Sequence, residues 1–159
     1  MIKVGDQIPS MTLTKATAEG PKPVTTDEIF KGRKVVLFAV PGAFTPTCSA
    51  KHLPGFVQNI DALKAKGVDE IVCMAVNDAF VMGAWGKDQS VGESITMLAD
   101  GSAAFTKAMG LELDLVARGL GVRSQRFAMI VQDGTVSHLA VEAAGDFDVS
   151  RAEAVLAAL

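Results

Sequence analysis

Apolar and polar positions alternate in blocks that predict both strands and helices. Residues 35–40 (Val-Val-Leu-Phe-Ala-Val) form a continuous apolar run, the length of one buried strand, closed by Pro41-Gly42. The period then changes. Phe56, Val57, Ile60 and Leu63 recur at helical spacing, which predicts a helix from near residue 46 to about residue 66. Pro54 falls inside that pattern and predicts a kink or short break. Residues 70–76 read as a second buried strand. Asn77-Asp78 then offers an N-cap for a helix over 79–87. A short strand over 96–98 and a helix over 102–109 follow. Residues 126–132 and 135–142 read as strands joined by Asp133-Gly134, a pair that tolerates positive φ at both turn positions. Ser150 with Glu153 three residues on predicts a capping box at the start of a last helix. Pro21-Lys22-Pro23 reads as a turn. Strand and helix alternate, then come a hairpin and a helix, which predicts an α/β protein with a central mixed β-sheet flanked by helices.

Composition narrows the function. The 159 residues suit one domain over 1–159, and no repeat, low-complexity tract or linker divides them. A net charge of −3 provides no electrostatic footprint for nucleic acid or an anionic membrane. The longest apolar run, residues 35–42 with its Pro and Gly counted, is far short of the roughly 20 residues of a membrane span. The first six residues lack a signal-peptide pattern, so a cytoplasmic chain is expected. A mean hydropathy of +0.31 is somewhat high and hints at an oligomer interface.

The candidate chemistry lies in the two cysteines. They are too few for a disulfide-stapled fold, and no C-x-x-C is present to hold zinc or form a dithiol. No metal and no cofactor are expected. Cys73, in an apolar strand, reads as a small buried hydrophobe. Cys48 differs. It follows Thr45-Pro46-Thr47, and Thr is a good N-cap while Pro favours the first helical position. Cys48 then falls in the first turn of a helix, where unpartnered N–H groups carry partial positive charge and favour a thiolate. The preceding strand places the thiol at a carboxyl end, where open α/β sheets put their sites.

Pro41-Gly42-Ala43-Phe44-Thr45-Pro46-Thr47-Cys48 resembles the P-x-x-x-T-x-x-C active-site loop of the peroxiredoxins. His52-Leu53-Pro54-Gly55-Phe56 and Val76-Asn77-Asp78-Ala79-Phe80-Val81-Met82 are similar to the type-five, glutaredoxin- and glutathione-dependent subfamily. The resemblance continues through Arg126-Phe127-Ala128-Met129-Ile130-Val131 to the last helix. It implies a thioredoxin-like fold and a thiol peroxidase for hydrogen peroxide and alkyl hydroperoxides. In that reading Cys48 is the nucleophile and Thr45 supplies a hydroxyl to the peroxide or the thiolate. Pro41 shields the sulfur, and a fixed cation stabilises the transition state. By residues alone Arg123 and Arg126 both read as strand-end charges facing solvent. The resemblance implies Arg126. It also implies a homodimer. Some type-five members carry a resolving cysteine near the C-terminus. Here residues 145–150 (Gly-Asp-Phe-Asp-Val-Ser) contain none, so an external thiol, glutathione with a glutaredoxin, is expected to reduce the Cys48 sulfenic acid.

Other readings compete. A redox carrier without peroxidase activity lacks its C-x-x-C. A cysteine hydrolase would pair Cys48 with His52, four residues on and on the same face of a regular helix. A histidine that packs near the site is the other reading of His52. A scaffold would use an apolar surface. Phe80 and Trp85 read as core or dimer-interface residues.

Overall fold

A computed structural model describes all residues, 1–159. The apolar runs form the middle of a seven-stranded mixed sheet. Its strands are β1 (Thr12–Thr17), β2 (Gly20–Thr25), β3 (Lys34–Ala39), β4 (Glu70–Ala75), β5 (Thr96–Ala99), β8 (Phe127–Gln132) and β9 (Thr135–Val141), in the order β2-β1-β5-β4-β3-β8-β9. β3 pairs parallel with β4 and antiparallel with β8, and it is buried almost throughout, as a strand covered on both faces must be. The remaining strands, β6 (Glu112–Leu115) and β7 (Gly121–Ser124), form a separate antiparallel pair joined by a 3₁₀ turn at Val116–Arg118.

Alternation along the central strands divides the core in two. Val36, Phe38, Ile71, Cys73 and Ala75 point to one face and pack with Leu53, Phe56, Met82, Trp85 and Val155. These come from helices α2 (Leu53–Gln58), α4 (Ala79–Asp88) and α6 (Ala152–Ala158). Val35, Leu37, Val72 and Met74 point to the other face, against Ile29, Phe30 and Phe105 of α1 (Thr26–Phe30) and α5 (Ala104–Ala108). Helix α3 (Ile60–Ala65) follows α2 after a break at Asn59. This is a sheet with helices on both faces, the thioredoxin-like arrangement.

Three expectations change. Pro21-Lys22-Pro23 is not a turn but part of β2, an edge strand paired only with β1. Pro is tolerated there because an edge strand needs ladder donors on one side only. Ser150 does not cap the last helix. Helix α6 begins at Ala152 after Arg151, without a side-chain cap, and the Ser150 hydroxyl donates to Glu142 Oε2 at 2.6 Å instead. The helix expected over residues 46–66 is not uniform. It starts at Pro46, widens into a π-turn over Cys48–His52, continues as α2, and breaks at Asn59. In the π-turn the Leu53 N–H bonds to the Cys48 carbonyl, five residues back. Pro54 lacks an N–H and its ring crowds the carbonyl four residues back, so a widened turn just before it relieves the clash.

Candidate active site

Cys48 stands at the third helical position after Thr45, whose carbonyl accepts the Ser49 N–H at 2.9 Å. The first-turn placement read from the sequence is therefore present, but Thr45 does not cap with its side chain. Its Oγ1 donates to the Gly42 carbonyl at 2.6 Å and closes the loop. With that proton committed, Thr45 Oγ1 offers only lone pairs to a ligand. The Ala43 N–H donates to Asn77 Oδ1 at 3.0 Å, tying the loop to the end of β4. The Trp85 indole N–H donates to Ser49 Oγ at 3.0 Å and holds the π-turn from helix α4. Trp85 itself is fully buried, whereas Phe80 is 75% exposed.

Arg126 meets the thiol. Its Nη2 donates to Cys48 Sγ at 3.1 Å, and its Nη1 lies 2.8 Å from His52 Nδ1. The residue directly precedes β8, which pairs with β3, so the sheet delivers the guanidinium to the end of the strand that leads into the Cys48 loop. A permanent cation in hydrogen-bonding contact with the sulfur stabilises negative charge there. Arg123, the other candidate, does not touch Cys48. Its Nε donates to the Leu120 carbonyl at 2.8 Å and its Nη1 to the Pro41 carbonyl at 3.3 Å. A Cβ on Gly42 would stand 2.8 Å from Arg123 Nη1, so the close approach of this guanidinium depends on a glycine there.

His52 is buried among Phe38, Phe56 and Phe147, with ring centroids 5.0, 5.7 and 5.1 Å away. Burial, and secondarily the Arg126 charge, push its pKa from 6.5 down to about 3. Arg126 can only donate, so Nδ1 accepts and the proton sits on Nε2, which donates to the Ser150 carbonyl at 3.0 Å. Both ring nitrogens are thus committed elsewhere. The cysteine–histidine pair of a hydrolase is not formed, although His52 does pack beside the site.

Glu142, at the end of β9, is nearly buried and its Oε2 accepts three hydrogen bonds: from Asp148 N–H, Ser150 N–H and Ser150 Oγ–H. Burial alone would raise its pKa, but the bonds from Ser150 and Asp148 outweigh it and hold the carboxyl below its ordinary value. Sequence reading missed Glu142 and assigned Ser150 to a cap. The available signal was a carboxylate directly after the apolar stretch Leu139-Ala140-Val141, which buries a charge only when hydrogen bonds surround it. Cys73 lies in the sheet core, where burial above all, with Cys48 as a lesser cause, pushes its thiol up.

Cys48 is itself fully buried. A cavity of about 180 Å³, lined by Pro41, Thr47, Leu113, Gln125 and Arg126 among others but not by Cys48, reaches the arginine that contacts the sulfur. Since a water occupies about 30 Å³, a small hydroperoxide fits. A larger cavity, about 590 Å³, lies between residues 1–9 and 107–110, whose apolar members pack on the opposite face of the sheet. It contains no cysteine.

Comparison with known proteins agrees with this geometry. The model of the Redoxin family matches residues 3–156. Peroxiredoxin-2B of Arabidopsis thaliana is 48% identical over 159 residues, covering 99% of this chain and 98% of its own. The structure of reduced Prx3 in complex with hydrogen peroxide from Vibrio vulnificus is 57% identical, with a TM-score of 0.95 and 99% of each chain covered. That of peroxiredoxin 5 from Alvinella pompejana is 37% identical, with a TM-score of 0.87, covering 99% of this chain and 97% of that one. A thiol in the first turn of a helix, an arginine on its sulfur, and likeness over the whole chain place this protein in the Redoxin family, among the type-five-like peroxiredoxins, the thiol peroxidases of the thioredoxin fold.

Proposed function

We propose that Cys48 is the peroxidatic residue and that an external thiol completes its turnover. The observation that carries this reading is the 3.1 Å contact between Arg126 Nη2 and Cys48 Sγ at a helix start. The thiolate attacks one peroxide oxygen in line with the O–O bond. That bond breaks, sulfur gains the oxygen, and the leaving alkoxide or hydroxide takes a proton to depart as alcohol or water. Arg126 faces the charge that shifts from sulfur to oxygen, and oriented donors of this kind lower the barrier by a few kcal/mol. Thr45 Oγ1, its own proton engaged, accepts from the peroxide O–H. Pro41 lines the approach beside Thr47.

The product is a Cys48 sulfenic acid. A thiol attacks its sulfur, water leaves, and a mixed disulfide forms, which a second thiol reduces. The sequence from Gly145 to Ser150 supplies no cysteine, and burial keeps Cys73 protonated and unreactive. Glutathione with a glutaredoxin suits this role, and a homodimer would cover the exposed apolar residues Phe44 and Phe80. Rapid-mixing peroxide consumption tests the reading. Cys48→Ser should abolish it and Cys73→Ser should leave it intact. A full rate in Cys48→Ser refutes the assignment. Mass spectrometry after one equivalent of peroxide tests the external thiol. An intramolecular Cys48–Cys73 disulfide as main product would refute it, and an adduct with added glutathione supports it.

A further inference from the structure

We infer that Glu142 is a positioning residue for the Arg126 guanidinium, acting through Ser150 and His52. The inference rests on Cys48 being the residue that meets peroxide. The contacts form one unbroken line. Glu142 Oε2 holds Ser150 by its backbone N–H at 2.9 Å and its hydroxyl at 2.6 Å. The Ser150 carbonyl takes the Nε2 proton of His52 at 3.0 Å, leaving Nδ1 as the acceptor for Arg126 Nη1 at 2.8 Å. Arg126 Nη2 then faces Cys48 Sγ.

Each step depends on the one before it. An N–H on Nδ1 would oppose the Arg126 N–H at 2.8 Å, so the guanidinium keeps its place only while the ring carries its proton on Nε2. In a pocket walled by three phenyl rings that proton needs an acceptor, and the Ser150 carbonyl is the one in contact. Ser150 precedes a helix with no side-chain cap, so its position is set instead by the Glu142 carboxylate. Three donors converge on one charged oxygen, a strong form of hydrogen bonding. Glu142 is also fixed from the other side, since its own N–H donates to the Arg126 carbonyl at 2.9 Å. One residue thereby sets both the backbone and the side-chain orientation of the arginine.

The test uses the full chain with Glu142→Gln, Glu142→Ala and Ser150→Ala, each checked for folding by thermal melting. Two quantities are read: the rate constant for hydrogen peroxide, and the ¹⁵N NMR signals of the His52 ring. Glu142→Ala should slow the reaction by roughly tenfold or more, the scale of a lost charged hydrogen bond. It should also move His52 from a single Nε2–H form toward a mixture. Glu142→Gln, which keeps an acceptor oxygen, should recover part of both. In an Arg126→Ala background Glu142→Gln should have no further effect on rate. Wild-type rates and wild-type ring signals in folded Glu142→Gln and Ser150→Ala overturn the inference, and so does a slowed rate with unmoved ring signals. If Glu142→Ala does not fold, the other two variants decide. If the wild-type protein shows no Cys48-dependent peroxide consumption, the peroxidase reading fails instead, and the ring signals still decide whether Glu142 sets the histidine.

Discussion

Arg126 uses its two terminal nitrogens on different partners, one on His52 and one on Cys48. A lysine has a single nitrogen at its end and cannot reproduce that fork. Arg126→Lys should therefore slow the reaction with peroxide by roughly a hundredfold, the cost of losing one oriented donor, although the charge is kept. Stopped-flow rates check this, and a lysine variant within twofold of wild type would mean that charge alone suffices. Residues alone did not separate Arg126 from Arg123, because both stand at or beside a short strand and their partners are far away in the chain. Arg126 meets a cysteine 78 positions earlier, and Arg123 meets a carbonyl 82 positions earlier. Cys48 was legible because its signal is local: Thr45, Pro46 and the helix start lie within three residues.

At the level of elements, what could be read from sequence was what neighbours in sequence decide. β3, β4 and β8 follow from apolar runs, and the β8–β9 hairpin from Asp133-Gly134, whose φ values are 48° and 76°. The N-cap of α4 is Asp78, whose Oδ1 accepts the Val81 N–H at 2.8 Å. What was not legible depends on tertiary partners. β2 exists because β1 pairs with it despite two prolines, the π-turn because a helix must pass Pro54, and the Ser150 contact because Glu142 approaches from another strand. The hairpin also separates stability from chemistry. Asp133 Oδ1 accepts the Gly32 N–H at 2.7 Å, and the turn lies at the opposite end of β8 from Arg126. Asp133→Ala loses that bond and leaves a β-carbon residue at positive φ, at a cost of about 2 kcal/mol. Denaturant titration should show that loss while the peroxide rate stays at the wild-type value. A reduced rate would show that the strand transmits strain to the site.

For the whole molecule, the network around His52 makes folding sensitive to acid. The native ring titrates at about 3 and an unfolded one near 6.5, so between these values the unfolded chain holds the extra proton. Stability is then fully present above about 6.5 and falls as pH drops toward 3, by up to about 1.4 kcal/mol per pH unit. Glu142 acts in the same direction, because a carboxyl held below its ordinary pKa stabilises the fold at higher pH and loses that contribution on protonation. Urea midpoints should therefore fall from pH 7 to pH 5, and His52→Gln should flatten the dependence. Equal midpoints at the two pH values in the wild-type protein would contradict the buried neutral ring.

The contact between His52 and the Ser150 carbonyl spans 98 positions. It has a consequence for how the protein is made. A chain growing on the ribosome presents Cys48 long before Arg126, Glu142 and Ser150 have been added. Through most of its synthesis the thiol has neither its cation nor the ring that holds that cation in place. The arginine contact on which the proposed role of Cys48 rests forms only when the last quarter of the sequence folds back onto the first third. On the proposed reading, reactivity toward peroxide reports that Arg126, Glu142 and Ser150 have folded into place around the thiol.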